Sequence, residues 1–397
     1  MTLKKIYADF HIHIGRTSHN LPVKITAARN LTFENIVKEA HHCKGLGMIG
    51  VIDAQSPPVQ EDIIKGLESG LYKEHPDGGI IYGKTTCLLG AEIEIREPGL
   101  GPAHVLVYLK TLAQMQQFTD WCRKSMKNIR LSTQRLYQPV RALQEKVWEL
   151  DGIFIPAHVF TPFKSIYGSA TDKMGKLLDL EKVSAVELGL SSDTDLADRL
   201  SELSRFPFVT NSDAHSLPKI GREYNEILVI EPSFEEFRRA LKGVNGRKIV
   251  ANCGLNPKLG KYYRSRCLKC DSIWPENEPE RCPGCGSTRM VKGVYDRILE
   301  LSDQPCQHPH FRPPYRYQVP LEFIPKLGKK TLDKLLLAFG TEMNVLNQVP
   351  IERIAEVAGE GIAHQIWLAR EERLEFVEGG GGIYGRVKTA GYSAKGS

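Results

Sequence analysis

Between residues 5 and 231, short β-branched apolar runs alternate with helix-like stretches, and this alternation restricts the fold more than any other feature of the chain. The runs are 5–10 (KIYADF), 48–53 (MIGVID), 86–95, 103–109, 152–157, 184–188, 206–211 and 226–231. Between them, 31–47 offers Thr32 as an N-cap and a closing glycine, and 112–126 has helical spacing. Strands that alternate with helices argue for βα units. Seven or eight of them in about 230 residues fit a largely parallel sheet closed as an α/β barrel.

Several runs lead directly into metal-type side chains: His11 and His13 after the first, then Asp53, Glu92, His158, and Asp213 with His215. His19 and His104 lie close by. In a β/α barrel the C-terminal strand ends converge on one face, so these residues can meet although they are far apart in sequence. Imidazoles mixed with carboxylates suit divalent ions such as Zn, Mn, Mg or Fe, and a carboxylate can bridge neighbouring ions. Two or three ions about 3.5–4 Å apart can drive phosphoester hydrolysis with no Ser or Cys nucleophile. A single histidine at a strand end is ordinarily structural, so the convergence carries the argument. His41, His42, His75 and His364 are expected on the surface.

The cysteines divide in two. Cys267, Cys270, Cys282 and Cys285 follow C-x2-C-x11-C-x2-C, while the other five are scattered. Two such knuckles close a tetrahedral thiolate shell around one structural Zn. Disulfides are not expected, and the chain has neither a charged leader with a long apolar stretch nor any run of 18 apolar residues. A cytoplasmic location follows as an expectation.

The net charge of +6 is regional: from Arg247 to Lys330 there are sixteen Lys and Arg against eight Asp and Glu. Lys261, Tyr262, Tyr263, Arg264 and Arg266 interleave charge with aromatic faces, a pattern suited to phosphate contact plus base stacking. At 397 residues the chain needs more than one core. The expected division is a catalytic domain over 1–245, a zinc-ribbon-like module with its linker over 246–320, and a helical tail over 321–397 whose Gly-rich end is partly mobile.

D-F-H-I-H at 9–13, G-A-E at 90–92, P-A-H at 156–158 and N-S-D-A-H at 211–215 resemble the ordered motifs of the polymerase-and-histidinol-phosphatase (PHP) superfamily. The resemblance implies a distorted β/α barrel with His11, His13, Glu92, His158, Asp213 and His215 as metal ligands. His19 and His104 join them, with Glu187 either a ligand or a group that supports one; Asp53 is followed by Ala54 where many members have histidine, so that metal position is either altered or filled by Asp53 itself. The segments 323–340 and 349–367 resemble tandem helix-hairpin-helix units, with Gly328, Lys329 and Lys330 in the first and Gly359 and Gly361 in the second placed to grip phosphate.

Together with 158–169, 187–195, 254–263 and 379–387, these features resemble the endonuclease Q family. That resemblance implies a DNA repair nuclease that nicks 5′ to uracil, hypoxanthine and abasic sites, with DNA as partner and no membrane. The loops 158–171 and 189–195 are then expected to read the base through Lys164, Ser165, Tyr167 and Ser169, with Asp193 beside the catalytic groups. A small-molecule phosphatase and an inactive DNA-binding scaffold are the rival readings.

Overall fold

The computed structural model of the chain describes residues 2–275 and 279–387. Its principal strands are β1 (Lys4–Ile12), β2 (Met48–Val51), β3 (Thr85–Ile95), β4 (Ala103–Leu109), β5 (Ile153–Pro156), β6 (Val186–Glu187), β7 (Phe208–Val209), β8 (Tyr224–Val229), β9 (Lys248–Gly254) and β10 (Tyr315–Tyr317). The principal helices are α1 (Phe33–Lys38), α2 (Pro57–Glu68), α3 (Leu112–Arg123), α4 (Val140–Glu149), α5 (Phe234–Lys242), α6 (Val294–Leu301), α7 (Lys329–Phe339), α8 (Glu342–Asn347), α9 (Ile351–Ala358) and α10 (Glu360–Arg370), with a single helical turn at Thr194–Ala197. Thr32 caps α1 by accepting from Asn35 N, and Thr111 forms a capping box with Gln114 at α3.

Among the described residues one ten-stranded mixed sheet runs β10–β9–β8–β1–β2–β3, with β4 and β5 beyond β3 and a small hairpin, Lys73–Glu74 and Ile80–Tyr82, on the first half of β3. β6 and β7 pair in parallel and complete the wall. Ser184 N donates to Phe154 O beside β5, and Ala214 N donates to His11 O beside β1. The result is a distorted barrel of the PHP type.

The sheet is mixed where a largely parallel one was expected. β3–β4, β4–β5, β1–β8 and β8–β9 are antiparallel. Residues 96–102 between β3 and β4 are too few for a crossover helix, which a parallel connection requires. The sheet also passes the expected boundary at residue 245, since β9 pairs with β8 and β10 from the Pro-rich segment pairs with β9.

Alternation along β1 separates two apolar layers. Ala8 and Phe10 pack inward with Tyr108, Ile227 and the α5 residues Phe234 and Phe237, and Phe10 stacks on Phe237 at 3.9 Å. Tyr7, and Ile12 beyond the register shift that follows Asp9, face an outer layer that continues without a break into Leu321, Ile324, Met343, Leu346, Ile354 and Ile366 of the tail. Lys44 Nζ donates to Glu342 Oε1 at 2.8 Å, and a Cβ on Gly45 would lie 2.5 Å from Thr341 Oγ1. The helical tail is therefore packed on the barrel.

Where it is described, the Gly-rich end packs against the rest of the chain. Residues 379–387 fold back on the segment around Gly260, where a Cβ on Gly379 would meet Gly260 O at 2.4 Å. Glycine is needed here for close backbone approach rather than for motion. Residues 388–397 lie outside the described residues.

Candidate metal centre

β1 carries His11 and leads directly into His13, β3 contributes Glu92, β4 His104, and the segments after β5 and β7 bring His158, Asp213 and His215. Glu92 is the hub. Its Oε1 lies 2.9 Å from His104 Nδ1, 3.3 Å from His158 Nε2 and 3.6 Å from His11 Nε2, and its Oε2 lies 3.6 Å from His13 Nε2. Asp213 Oδ1 stands 3.4 Å from Nε2 of both His11 and His13, and 3.6 Å from His215 Nδ1.

Three groups of these side chains have metal-site spacing: His11–His13–Glu92, His13–Asp213–His215 and Glu92–His104–His158. Glu92 and His13 each belong to two of them, so the three groups form one continuous cluster. His158 and Asp213 both hold left-handed backbone, φ 30° and φ 46°. Such strain persists only where the surroundings impose it.

The two strand-one histidines are aimed by buried carboxylates. His11 Nδ1 lies 3.0 and 3.1 Å from the two Glu187 oxygens, and His13 Nδ1 lies 3.1 Å from Asp53 Oδ2. Each Nε2 is thereby turned into the cluster. His11 Nε2 is buried without a hydrogen-bond partner, between oxygens of Glu92 and Asp213, a donor set that fits a divalent cation.

Electrostatics agree with that fit. Burial pulls the His11 imidazolium down, but Glu187, Asp213 and Glu92 outweigh it and push its pKa to about 10. Burial raises Glu92, yet His104, His158 and Lys24 hold it well below the usual carboxylate range. Concentrated negative charge of this kind is what a cation would neutralise.

The decisive comparison is with a solved lesion-specific endonuclease, PfuEndoQ from Pyrococcus furiosus. It is 34% identical, the match covers 99% of this chain and 98% of that one, and the TM-score is 0.86. The chain belongs to the endonuclease Q family. A second solved endonuclease Q, in complex with a 27-mer duplex substrate with an abasic lesion at the active site, is 33% identical over 99% of both chains, with a TM-score of 0.86. YqxK, an uncharacterized protein of Bacillus subtilis (strain 168), is 50% identical over 97% of this chain and all of its own length. The PHP-associated family matches residues 192–244. Family membership and the barrel together place the chain in the PHP superfamily.

In this endonuclease Q-family chain, four of the expected site residues stand outside the three groups. Asp53, a candidate ligand, is tied through Oδ2 to His13 and to Ile14 N at 2.7 Å, which sets it behind His13, while its Oδ1 is buried without a hydrogen-bond partner. Glu187 stands likewise behind His11, and also accepts from His158 N and Asn211. His19 is exposed against Lys65 Nζ at 2.7 Å and does not join the described groups. Asp193 caps the turn Thr194–Ala197 and accepts from Tyr317 Oη, away from those ligands.

The loop expected to read the base is largely structural. Tyr167 is buried and donates to Glu202, while the Ser165 hydroxyl donates to Thr161 O and the Ser169 hydroxyl to Pro102 O. Lys164 is the exception, half-exposed and 2.8 Å from Glu94 at the rim of the cluster. Tyr263 is buried against Tyr295, Arg264 pairs with Asp296 and Arg266 with Asp271, so these are not open platforms. Tyr262 meets the exposed Phe163 edge-on, and the Lys261 ammonium lies 4.8 Å from the Tyr384 ring centroid.

Sequence reasoning missed Lys24, 3.6 Å from Glu92 Oε2, and Thr133, which donates to the same oxygen at 2.5 Å. It also missed Arg222, which donates to Tyr384 Oη at 2.7 Å. None sits at a strand end, so no spacing signal marked them.

The four paired cysteines do gather. Cys267 Sγ and Cys285 Sγ are 3.6 Å apart, as are Cys270 Sγ and Cys282 Sγ, close to a tetrahedral edge for thiolates around zinc. The short pair Arg266–Cys267 and Met290–Val291 and the buried Trp274 hold them.

Proposed function

We propose that this chain nicks DNA 5′ to uracil, hypoxanthine and abasic sites, using two or three divalent ions held by His11, His13, Glu92, His104, His158, Asp213 and His215. The observation that carries the reading is Glu92, whose two oxygens face four imidazoles from three separate segments. When bound, the ions supply Lewis-acid polarisation of a phosphoryl oxygen and a water nucleophile at neutral pH. Glu187 and Asp53 fix the ring orientations, and Lys24 places a fixed positive charge beside Glu92.

In this reading Lys164, Lys261, Tyr262 and Phe163 form the rim that meets the strand and its displaced base, combining phosphate contact with stacking faces. The second solved relative, with an abasic lesion at its active site, supports a DNA substrate of that kind. Gly328, Lys329, Lys330, Gly359 and Gly361 add contacts to the duplex backbone: α7 opens after Gly328, and α9 meets α10 at Gly359, φ 84°. The cysteine module holds one structural Zn, and the three-part division at 245 and 320 remains a functional one.

The test is to incubate the Mn-loaded protein with a uracil oligonucleotide, an abasic duplex, undamaged DNA and histidinol phosphate. A nick 5′ to the lesion, abolished by Asp213→Ala or His13→Ala with DNA binding retained, is expected. Turnover of histidinol phosphate alone would reverse the substrate assignment.

A further inference from the structure

Outside the barrel's cluster, three side chains of different chemistry meet where the Pro-rich linker crosses the 192–244 segment: Asp195, Cys306 and His308. All three are exposed, and their ligand atoms lie within 4.8 Å of one another. His308 Nε2 is 3.3 Å from Asp195 Oδ1 and 3.7 Å from Cys306 Sγ. A tetrahedron around zinc, with Zn–S about 2.3 Å and Zn–N and Zn–O about 2.0 Å, has an N···O edge of about 3.3 Å and an N···S edge of about 3.5 Å. Both observed separations fall within about 0.2 Å of these edges.

The other nitrogen of His308 is fixed by the protein interior. Nδ1 lies 2.7 Å from Oδ2 of Asp198, a fully buried carboxylate that Arg312 holds from its side chain. A histidine bonded through Nδ1 to a carboxylate presents Nε2 as a ligand in a set tautomer and direction. Glu187 with His11 and Asp53 with His13 show the same relation in the barrel. The linker is also anchored just before the cysteine. Asp303 accepts from Ser201 N and Oγ, and Gln304 donates to Asp198 O, so Cys306 and His308 are delivered to Asp195 by a segment already docked.

We propose that Asp195, Cys306 and His308 form an additional metal site that takes one Zn2+ through three protein ligands, with the fourth position open to water. The thiolate and imidazole select zinc over Mg or Ca, which prefer all-oxygen shells. The ion clips the linker between α6 and β10 to the barrel, and so fixes where the cysteine module sits relative to the metal centre.

The experiment is a ZnCl2 titration of the full-length protein, after stripping with a chelator, read as bound equivalents per chain by elemental analysis. Cys306→Ser and His308→Ala should each bind about one equivalent fewer than the unaltered protein. Equal stoichiometry in all three overturns the proposal. Because His308→Ala also breaks the tie to Asp198, Asp195→Asn is the control that leaves that tie in place. It should weaken the same equivalent by about tenfold or more, and unchanged affinity there likewise overturns the site.

Discussion

Glu187 holds His11 Nδ1 with both of its carboxylate oxygens, at 3.0 and 3.1 Å, and in doing so turns His11 Nε2 toward Glu92 and Asp213. The same carboxylate accepts from His158 N and from Asn211 Nδ2, both at 2.8 Å, so it orients residues from two sides of the barrel at once. Glu187→Gln keeps the shape but replaces one acceptor with a donor and removes the charge. Metal affinity of the barrel centre is expected to fall by about 10–100-fold, with cleavage falling in step. Metal content after dialysis, together with single-turnover cleavage across Mn concentrations, checks this. Full metal retention at low Mn would show that Glu187 does not act through His11.

All eight strand runs were readable because burial on both faces of a barrel strand leaves near-continuous apolar stretches. β4 at 103–109 and β3 at 85–95 show how closely such runs track the strands. Strand-end chemistry located His11, His13, Glu92, His158, Asp213 and His215, since position at a C-terminal strand end is itself the signal.

What could not be read was direction and depth. Whether Asp53 binds a cation or aims His13 depends on about one side-chain length, which spacing does not encode. Asp193 looked catalytic because it lies beside the expected face, yet a carboxylate before Thr194–Ala197 also caps a helical turn. β10 went unseen because Tyr315–Tyr317 is short and set among prolines, and edge strands tolerate proline.

The cysteine module predicts its own stoichiometry. Cys270→Ser removes one corner of a closed thiolate shell, so about one Zn per chain is expected to leave. Melting of that module should move to lower temperature, because binding and folding of such sites are coupled. Cleavage of short substrates should persist if the barrel's own ions are retained. Elemental analysis with calorimetry checks this, and unchanged Zn together with unchanged melting would assign the cysteines a thiol role instead.

Gly379→Ala tests the fold-back of the C-terminal hairpin. The added methyl would lie 2.4 Å from Gly260 O and 2.6 Å from Gly385 N, both backbone atoms that cannot swing aside. Overpacking of this kind costs about 1–3 kcal/mol. Tyr384 would move with the hairpin, taking its ring from Lys261 and its hydroxyl from Arg222. Both lower stability and weaker binding of damaged DNA are therefore expected, by thermal melting and by fluorescence anisotropy. A normal melting curve with normal binding would mean the hairpin rearranges freely.

The tail's part in DNA binding is better tested by charge than by deletion. Removing 321–397 would expose Leu46 and neighbouring barrel residues now covered by Met343 and Leu346, so a loss of affinity would not separate DNA contact from folding. Lys329 and Lys330 avoid this difficulty. They are exposed, they open α7 directly after Gly328, and they add side-chain charge to the free N–H groups of that helix start. Reversing both, Lys329→Glu with Lys330→Glu, should weaken binding to damaged and undamaged duplexes by a similar factor, because phosphate contacts carry no base information. It should also reduce the slope of log affinity against log salt by about two, one for each phosphate that the lysines no longer neutralise. Melting should stay close to that of the unaltered protein, since neither lysine is buried. Binding measured from low to moderate salt on an abasic duplex and on its undamaged counterpart, with a melting curve beside it, reads all three quantities. A loss confined to the damaged duplex, or an unchanged salt slope, would place these lysines away from the phosphate backbone.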